Sequence, residues 1–168
     1  VKVTKGTEYA DGNIELIKDP DSPHSEEDRK AQYETQMKLY QMVEDLAFVS
    51  DQLQDQQKTS KDLLAKIKNV KTLTPLINTY GKELEDIRKT LLATKEAKGG
   101  ITGEEQIREK LSTIYAAVAG YEGRPSEVYL QGMNTMNKEV SGAQSKLGKV
   151  YSTTLPKINK ELVKEKLP

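Results

Sequence analysis

A single histidine, His24, and no cysteine stand among 168 residues that carry 26 acidic and 26 basic side chains. Those counts decide which reactions the side chains could run. A di-metal site inside a helical bundle needs inward glutamates plus Glu-x-x-His pairs on two helices. His24 lies instead between Pro23 and Ser25, ahead of the first helical stretch, and no Glu-x-x-His occurs. Glu26, Glu27 and Asp28 read as helix-start charges, placed where the helix dipole favours anions. A serine nucleophile would lack its usual base, and no Gly-x-Ser-x-Gly elbow is present. The absence of cysteine excludes disulfides and thiolate chemistry and leaves the redox compartment open. Residues 99–103 (GGITG) are glycine-rich but lack the Lys-Ser/Thr of a phosphate loop, and read as a helix end followed by a cap. A glycosidase-type carboxylate pair needs a sugar-sized cleft, for which a narrow bundle has no room. No catalytic, cofactor-binding or metal-binding residue is assigned, and no cofactor is expected.

Binding classes narrow in the same way. Balanced charge gives no global field toward nucleic acid or an anionic membrane. The lysines at 66–71 and 157–166 are interleaved with acids or apolar positions and read as solvated faces. Met37, Met42, Met133 and Met136 recur at helical spacing and read as core filling rather than as an adaptable target groove. No apolar run approaches the ~20 residues of a membrane span. Eight tyrosines, one phenylalanine and no tryptophan argue against a large β-sandwich or a sugar-stacking groove.

The elements that would position any site are mostly helical. Residues 1–22 differ from the rest. Val1–Thr4 alternates as a strand does, Lys5–Thr7 is a turn, Ala10–Gly12 adds a second turn signal, and Asn13–Lys18 alternates again. A lone hairpin is marginal in water, so these two strands read as the last of a β-sandwich domain that lies outside this chain. Pro20 and Pro23 make a stiff connector. From 23 to 168 the pattern is a helical bundle.

Ser25–Asp28 forms a capping box with aspartate in the glutamate place, opening a first helix over about 25–69. Its apolar residues are Tyr33, Met37, Tyr40, Val43, Leu46, Ala47, Ser50 and Leu53, then Leu63, Leu64 and Ile67. Residues 54–61 are polar throughout and put the continuity of this helix in question. Thr74 as cap and Pro75 at the first helical position open a second helix over about 74–97, with Leu73, Ile77, Tyr80, Leu84, Ile87 and Leu91 on one face and Gly99–Gly100 ending it. Thr102–Glu105 is a further capping box, opening a third helix over about 103–119 with Ile107, Leu111, Ile114 and Val118 inward. Ser126 caps a fourth over about 126–166, whose stripe is Met133, Met136, Val140, Ala143, Leu147, Val150, Leu155, Ile158 and Leu162. Pro156 sits inside that stripe and predicts a kink or short break near 153–156.

The stripes keep a 3.5-residue period, which packs helices about 20° apart in left-handed bundles. Short connections predict an antiparallel up-down-up-down order. At roughly 1.5 Å per residue the first and fourth helices run about 60–70 Å and the middle two about 25–40 Å. Residues 25–45 and 146–166 are then expected to form a two-helix stalk beside the hairpin. Tyr33, Tyr40 and Tyr151 suit its half-wet surface, since each has an apolar ring and a polar tip.

Several stretches together resemble the C-terminal region of bacterial exported proteins with sortilin-like (BNR or Asp-box repeat) β-propellers, often labelled glycosyl hydrolases. In that family a small β-sandwich follows the propeller and a helical tail follows the sandwich. The sandwich's closing strand, turn, strand and Asp-Pro correspond to Val1–Thr4, Gly12, Ile14–Lys18 and Asp19–Pro20. The tail resembles Gln32–Asp45 (QYETQMKLYQMVED), Ile107–Val118 and Gly120–Ser126 (GYEGRPS, with Ser126 replacing a threonine). Residues 155–159 (LPKIN) and the closing Leu167–Pro168 are similar as well, with Lys166 where the family has glycine. The resemblance implies an exported, periplasmic or cell-surface parent whose active site, if any, lies in the propeller. No family catalytic residue maps onto this chain.

The expected role is therefore a non-catalytic accessory domain for spacing, docking or assembly. Its partner would be the rest of its own parent chain, the sandwich and propeller, with another protein or a further copy as a possible addition. The alternative is a free-standing helical interaction module.

Overall fold

The computed structural model describes residues 1–67, 70–95 and 104–167. Its elements are strands β1 (Lys2–Lys5) and β2 (Glu8–Asp11) and helices α1 (Glu26–Ile67), α2 (Leu73–Leu91), α3 (Ile107–Ala119), α4 (Glu127–Thr153) and α5 (Leu155–Lys164). The chain is mainly helical, with two long and two short helical stretches behind an N-terminal antiparallel hairpin, as the apolar spacing predicts.

The hairpin departs from its expected pairing. Gly6 takes a positive φ of 61°, which glycine adopts without penalty, and turns the chain in two residues so that Lys5 already faces Glu8. The second strand is therefore Glu8–Asp11 rather than Asn13–Lys18. The ladder ends where the Val1 ammonium donates to the Gly12 carbonyl at 2.7 Å and the Gly12 N–H returns to the Val1 carbonyl at 2.9 Å. Asn13–Lys18 follows unpaired. Neither strand packs on a helix.

Helix α1 is continuous through its polar stretch. Ser25 and Asp28 cap it reciprocally: the Asp28 N–H donates to Ser25 Oγ at 3.1 Å, and the Ser25 N–H donates to the Asp28 carboxylate at 3.4 Å. Residues 54–61 stay helical because α2 supplies their partners. The Tyr80 hydroxyl donates to Gln56 Oε1 at 2.9 Å, and Gln57 Nε2 donates to the Glu85 carboxylate at 2.8 Å. Ser60, at a buried position of the same seam, returns its hydroxyl to the Gln56 carbonyl at 2.7 Å.

The inward stripe of the first half of α1 is the expected one only in part: Leu46 and Leu53 are buried as expected, but Tyr33, Met37 and Tyr40 are not. Thr35, Leu39, Met42, Leu46, Val49 and Leu53 are buried, while Tyr33, Met37 and Tyr40 point outward. Two apolar stripes share this half of the helix. The aliphatic one prevails because its spacing of threes and fours continues into Ser60 and Ile67, whereas the tyrosine stripe runs into Asp51 and Asp55.

All six expected core residues of α2 are buried. The helix starts slightly earlier than predicted because the Leu73 and Thr74 N–H groups both reach the Val70 carbonyl, at 3.2 and 3.0 Å. Thr74 is thus inside the first turn, its hydroxyl buried without a partner, and does not cap. Pro75 falls at the third helical position, still within the turn whose N–H groups have no intrahelical acceptor. At the other end α2 closes at Leu91, where Leu92 turns extended (φ −127°, ψ 136°). Residues 96 and 97, the expected Gly99–Gly100 stop and Thr102 of the expected capping box lie outside the described residues. Glu104 takes no part in a helix: its carboxylate accepts both the backbone N–H and the hydroxyl of Thr94. Helix α3 begins at Ile107 instead, where Glu109 accepts the Gln106 N–H at 3.1 Å.

That Thr94–Glu104 clasp accompanies a departure in helix direction. It holds Glu104 beside Thr94, so α3 begins close to where α2 ends and runs on in the same direction. Gln57 and Glu85 mark the pairing of α1 with α2, and Gln32 Nε2, donating to the Val118 carbonyl at 2.8 Å, marks that of α1 with α3. Later α1 residues thus meet earlier residues of the α2–α3 pair, and both short helices run antiparallel to α1. The fourth stretch returns beside them, broken at Thr154 as Pro156 predicts. The order is up-down-down-up, making three rods: α1, α2 with α3, and α4 with α5. No two-helix stalk forms, because α3 covers the half of α1 that was expected to be bare. Tyr151 and Tyr40 are partly covered as expected, and Tyr33 is the most exposed of the three.

Candidate functional site

The interior is aliphatic from end to end, with Leu39, Leu53, Leu73, Leu84, Leu91 and Leu111 fully buried. Of its polar exceptions, Thr35 and Ser60 return their hydroxyls to carbonyls of their own helix, while half-buried polar groups at its edge pair the helices. Glu85 is the most heavily engaged: Arg88 grips it with Nε at 2.7 Å and Nη2 at 2.8 Å while Gln57 donates from α1. The Arg88 guanidinium, then Gln57, hold this carboxyl down at about 2. Burial pushes the Tyr80 phenol up to about 12. Thr154, buried at the helix break, donates its hydroxyl to Glu83 on α2 at 2.8 Å. None of these groups faces a second titratable group across a cleft in the manner that general acid–base work requires.

The residues with nominal chemical capacity sit at the base of the rods. His24 packs edge-on against Tyr121, ring centroids 5.2 Å apart, over Gly123, whose missing side chain leaves room for both rings. Asp28 accepts from Arg124 Nε at 2.8 Å and from the Ser25 hydroxyl at 2.6 Å. Arg124, then Ser25, lower its pKa to about 2. Arg29 lies 3.8 Å from Glu122. The cluster fastens the start of α1 to the turn between α3 and α4, with Arg29 Nε and Nη2 buried there without a hydrogen-bond partner. Glu26 and Glu27 remain at the solvent-facing helix start. Among the described residues no three His, Cys, Asp or Glu side chains converge as metal ligands would.

Met42, Met133 and Met136 are buried in the seam, as their spacing predicts, but Met37 is not. It belongs to an outward stripe on α1 formed by Tyr33, Met37, Tyr40 and Phe48, which are 60, 43, 43 and 64% exposed. Sequence spacing registers Tyr33, Met37 and Tyr40 of this stripe, placing the two tyrosines on a half-wet surface and Met37 in the core, and does not single out Phe48. The second exposed apolar set is at the amino end: Val1, Val3, Tyr9, Ile14, Leu16 and Ile17, with Leu16 at 95%. Large aliphatics this exposed, close together, mark a contact surface more often than scattered ones do. The lysines at 66–71 and 157–166, those of the described residues, are exposed and mixed with acids, Lys164 pairing with Glu161 at 3.2 Å. No helix among the described residues is long and apolar enough to cross a membrane. Among the described residues these are two exposed apolar sets, one on α1 and one at the amino end. No family model, curated protein or solved structure matches the chain.

Proposed function

We propose that the chain is a non-catalytic accessory module, a three-rod helical bundle that projects from a β-sheet domain and serves spacing, docking or assembly. One observation carries this reading. The hairpin and the unpaired segment after it expose Val1, Val3, Ile14, Leu16 and Ile17 and rest on no helix. A two-stranded hairpin without a packing partner is marginal in water, and Asn13–Lys18 alternates as a strand does while lacking a neighbour. Further strands from a sheet domain would satisfy both. The resemblance to exported sortilin-like (BNR or Asp-box) propeller proteins supplies such a domain, a small β-sandwich, and with it an extracytoplasmic setting.

Hydrogen exchange tests the structural part. In a polypeptide that includes the preceding sheet domain, the amides of Asn13–Lys18 are expected to be protected like a sheet interior. In the chain alone they should exchange at unfolded rates while α1 and α2 stay protected. Strong protection of that segment in the isolated chain would overturn the reading. The family part is tested by the coding sequence upstream of Val1, where Asp-box repeats (Ser-x-Asp-x-Gly-x-Thr-Trp) are expected.

A further inference from the structure

The outward stripe on α1 is independent of the amino-terminal strands and calls for its own explanation. Tyr33, Met37, Tyr40 and Phe48 follow one another at four, three and eight residues, so they share one side of a straight helix. That side is opposite the seam of Leu39, Met42, Leu46 and Val49, which binds α1 to the other rods. Its residues stay 43–64% exposed, and about 23 Å of helix is involved at 1.5 Å per residue. Glu44 interrupts the stripe and raises the pKa of the Tyr40 phenol by its negative charge. Lys30 stands at one end and Asp51 at the other. Lys30 meets only Glu34, at 4.0 Å with both side chains largely in water. Asp51 has no ion-pair partner among the described residues, and Arg108, across the adjoining groove, is taken by Glu109 at 2.7 Å.

We propose that two copies of the chain associate weakly through this stripe, with their α1 helices antiparallel and Lys30 of one copy beside Asp51 of the other. Charge decides the orientation. A parallel pair would set Lys30 on Lys30, Glu44 on Glu44 and Asp51 on Asp51, and like charges in direct opposition are costly. An antiparallel pair crossing between Tyr40 and Gln41 brings Tyr33 over Phe48 and Met37 over Glu44, whose aliphatic stem covers the thioether. Lys30 then meets Asp51 twice, once at each end of the two-fold contact. Such a contact is isologous and closes on itself, so it ends at a dimer. The face is small beside the ~800 Å² per partner of a standard interface, which makes the dimer concentration-dependent.

Sedimentation equilibrium across a wide concentration range is the test. The mass is expected to rise from one chain toward two. Lys30→Asp and Asp51→Lys should each weaken dimerisation by about tenfold, roughly 1.4 kcal/mol, and the two combined should restore it. Tyr33→Ser with Phe48→Ser should abolish it while the thermal melt of the monomer stays unchanged, since both rings are exposed. Because the protein has no cysteine, Tyr33→Cys and Phe48→Cys chains can be mixed under oxidation, and the cross-linked product should join one of each. A single-chain mass at every concentration overturns the proposal, as does capture of this face by the parent sheet domain instead. So does a Lys30→Asp/Asp51→Lys double variant that dimerises no better than either single one.

Discussion

The Tyr80 hydroxyl on α2 donates to the Gln56 side-chain carbonyl on α1 at 2.9 Å, in the stretch of α1 where aliphatic packing gives way to polar side chains. Tyr80 is 2% exposed, so this hydrogen bond satisfies a phenol with almost no access to water. A polar pair inside an otherwise aliphatic seam fixes how two helices slide along each other. Gln57 and Glu85 repeat the arrangement nearby.

Tyr80→Phe should therefore destabilise the fold by about 1–3 kcal/mol, the cost of leaving a half-buried acceptor unpaired. Gln56→Leu combined with Tyr80→Phe should recover most of the loss, because both partners are then apolar. Urea denaturation of the two single variants and the double variant measures the coupling. Simple addition of the two losses would show that the pair is not coupled.

Acid sensitivity follows from the two depressed carboxyls. Glu85 falls from an ordinary 4.5 to about 2 under the Arg88 guanidinium, and Asp28 from 3.8 to about 2 beside Arg124. In each case the folded state binds its proton less readily than the unfolded one. The stabilisation is complete above the unfolded value and is lost as pH falls toward 2. Melting temperature should be flat with pH near neutrality and decline between about 4.5 and 2. Glu85→Gln should flatten part of that decline, and an unaltered slope would exclude Glu85 as a source.

The carboxyl end of α5 closes in a Schellman arrangement: Leu167 N–H reaches the Leu162 carbonyl at 2.9 Å while Lys166 takes a positive φ of 55°. A side chain there costs about 1–2 kcal/mol relative to glycine. Lys166→Gly is expected to raise stability by about 1 kcal/mol. A melt that moves down instead would mean that the Lys166 side chain makes a contact worth more than the strain.

Leu53→Ala and Leu84→Ala remove side chains that are 0% exposed, and each should cost about 2–5 kcal/mol. Leu16→Ala, at 95% exposure, should leave the melting of the bundle within about 0.5 kcal/mol of the parent. A large effect at Leu16 would mean that the amino-terminal segment packs against the helices in solution.

The aliphatic spacing of α2 and α4 was readable in the sequence because each helix carries one stripe, and Pro156 marked the break at Thr154. The amino half of α1 was not, because Tyr33, Met37 and Tyr40 keep helical spacing as faithfully as Leu39 and Met42 do. Only the other rods decide which side is covered. The direction of α3 was hidden for a different reason. It depends on Glu104 bonding Thr94 across the connection, and a glutamate near a glycine pair carries no signal of such a clasp. Glu8–Asp11 carries a weaker alternation than Asn13–Lys18, and the two-residue turn at Gly6 nevertheless brings it into pairing first. The half-wet character of Tyr33 and Tyr40 was legible, whereas the exposure of Met37 and Phe48 beside them was not.

Of the three rods, only α1 has no joint. The second changes helix between Leu91 and Ile107, and the third breaks at Thr154, whose side chain is tied to Glu83 of the second. A pull arriving through the Pro20–Pro23 connector is therefore borne along the backbone of a single 42-residue helix, with the jointed rods acting as splints.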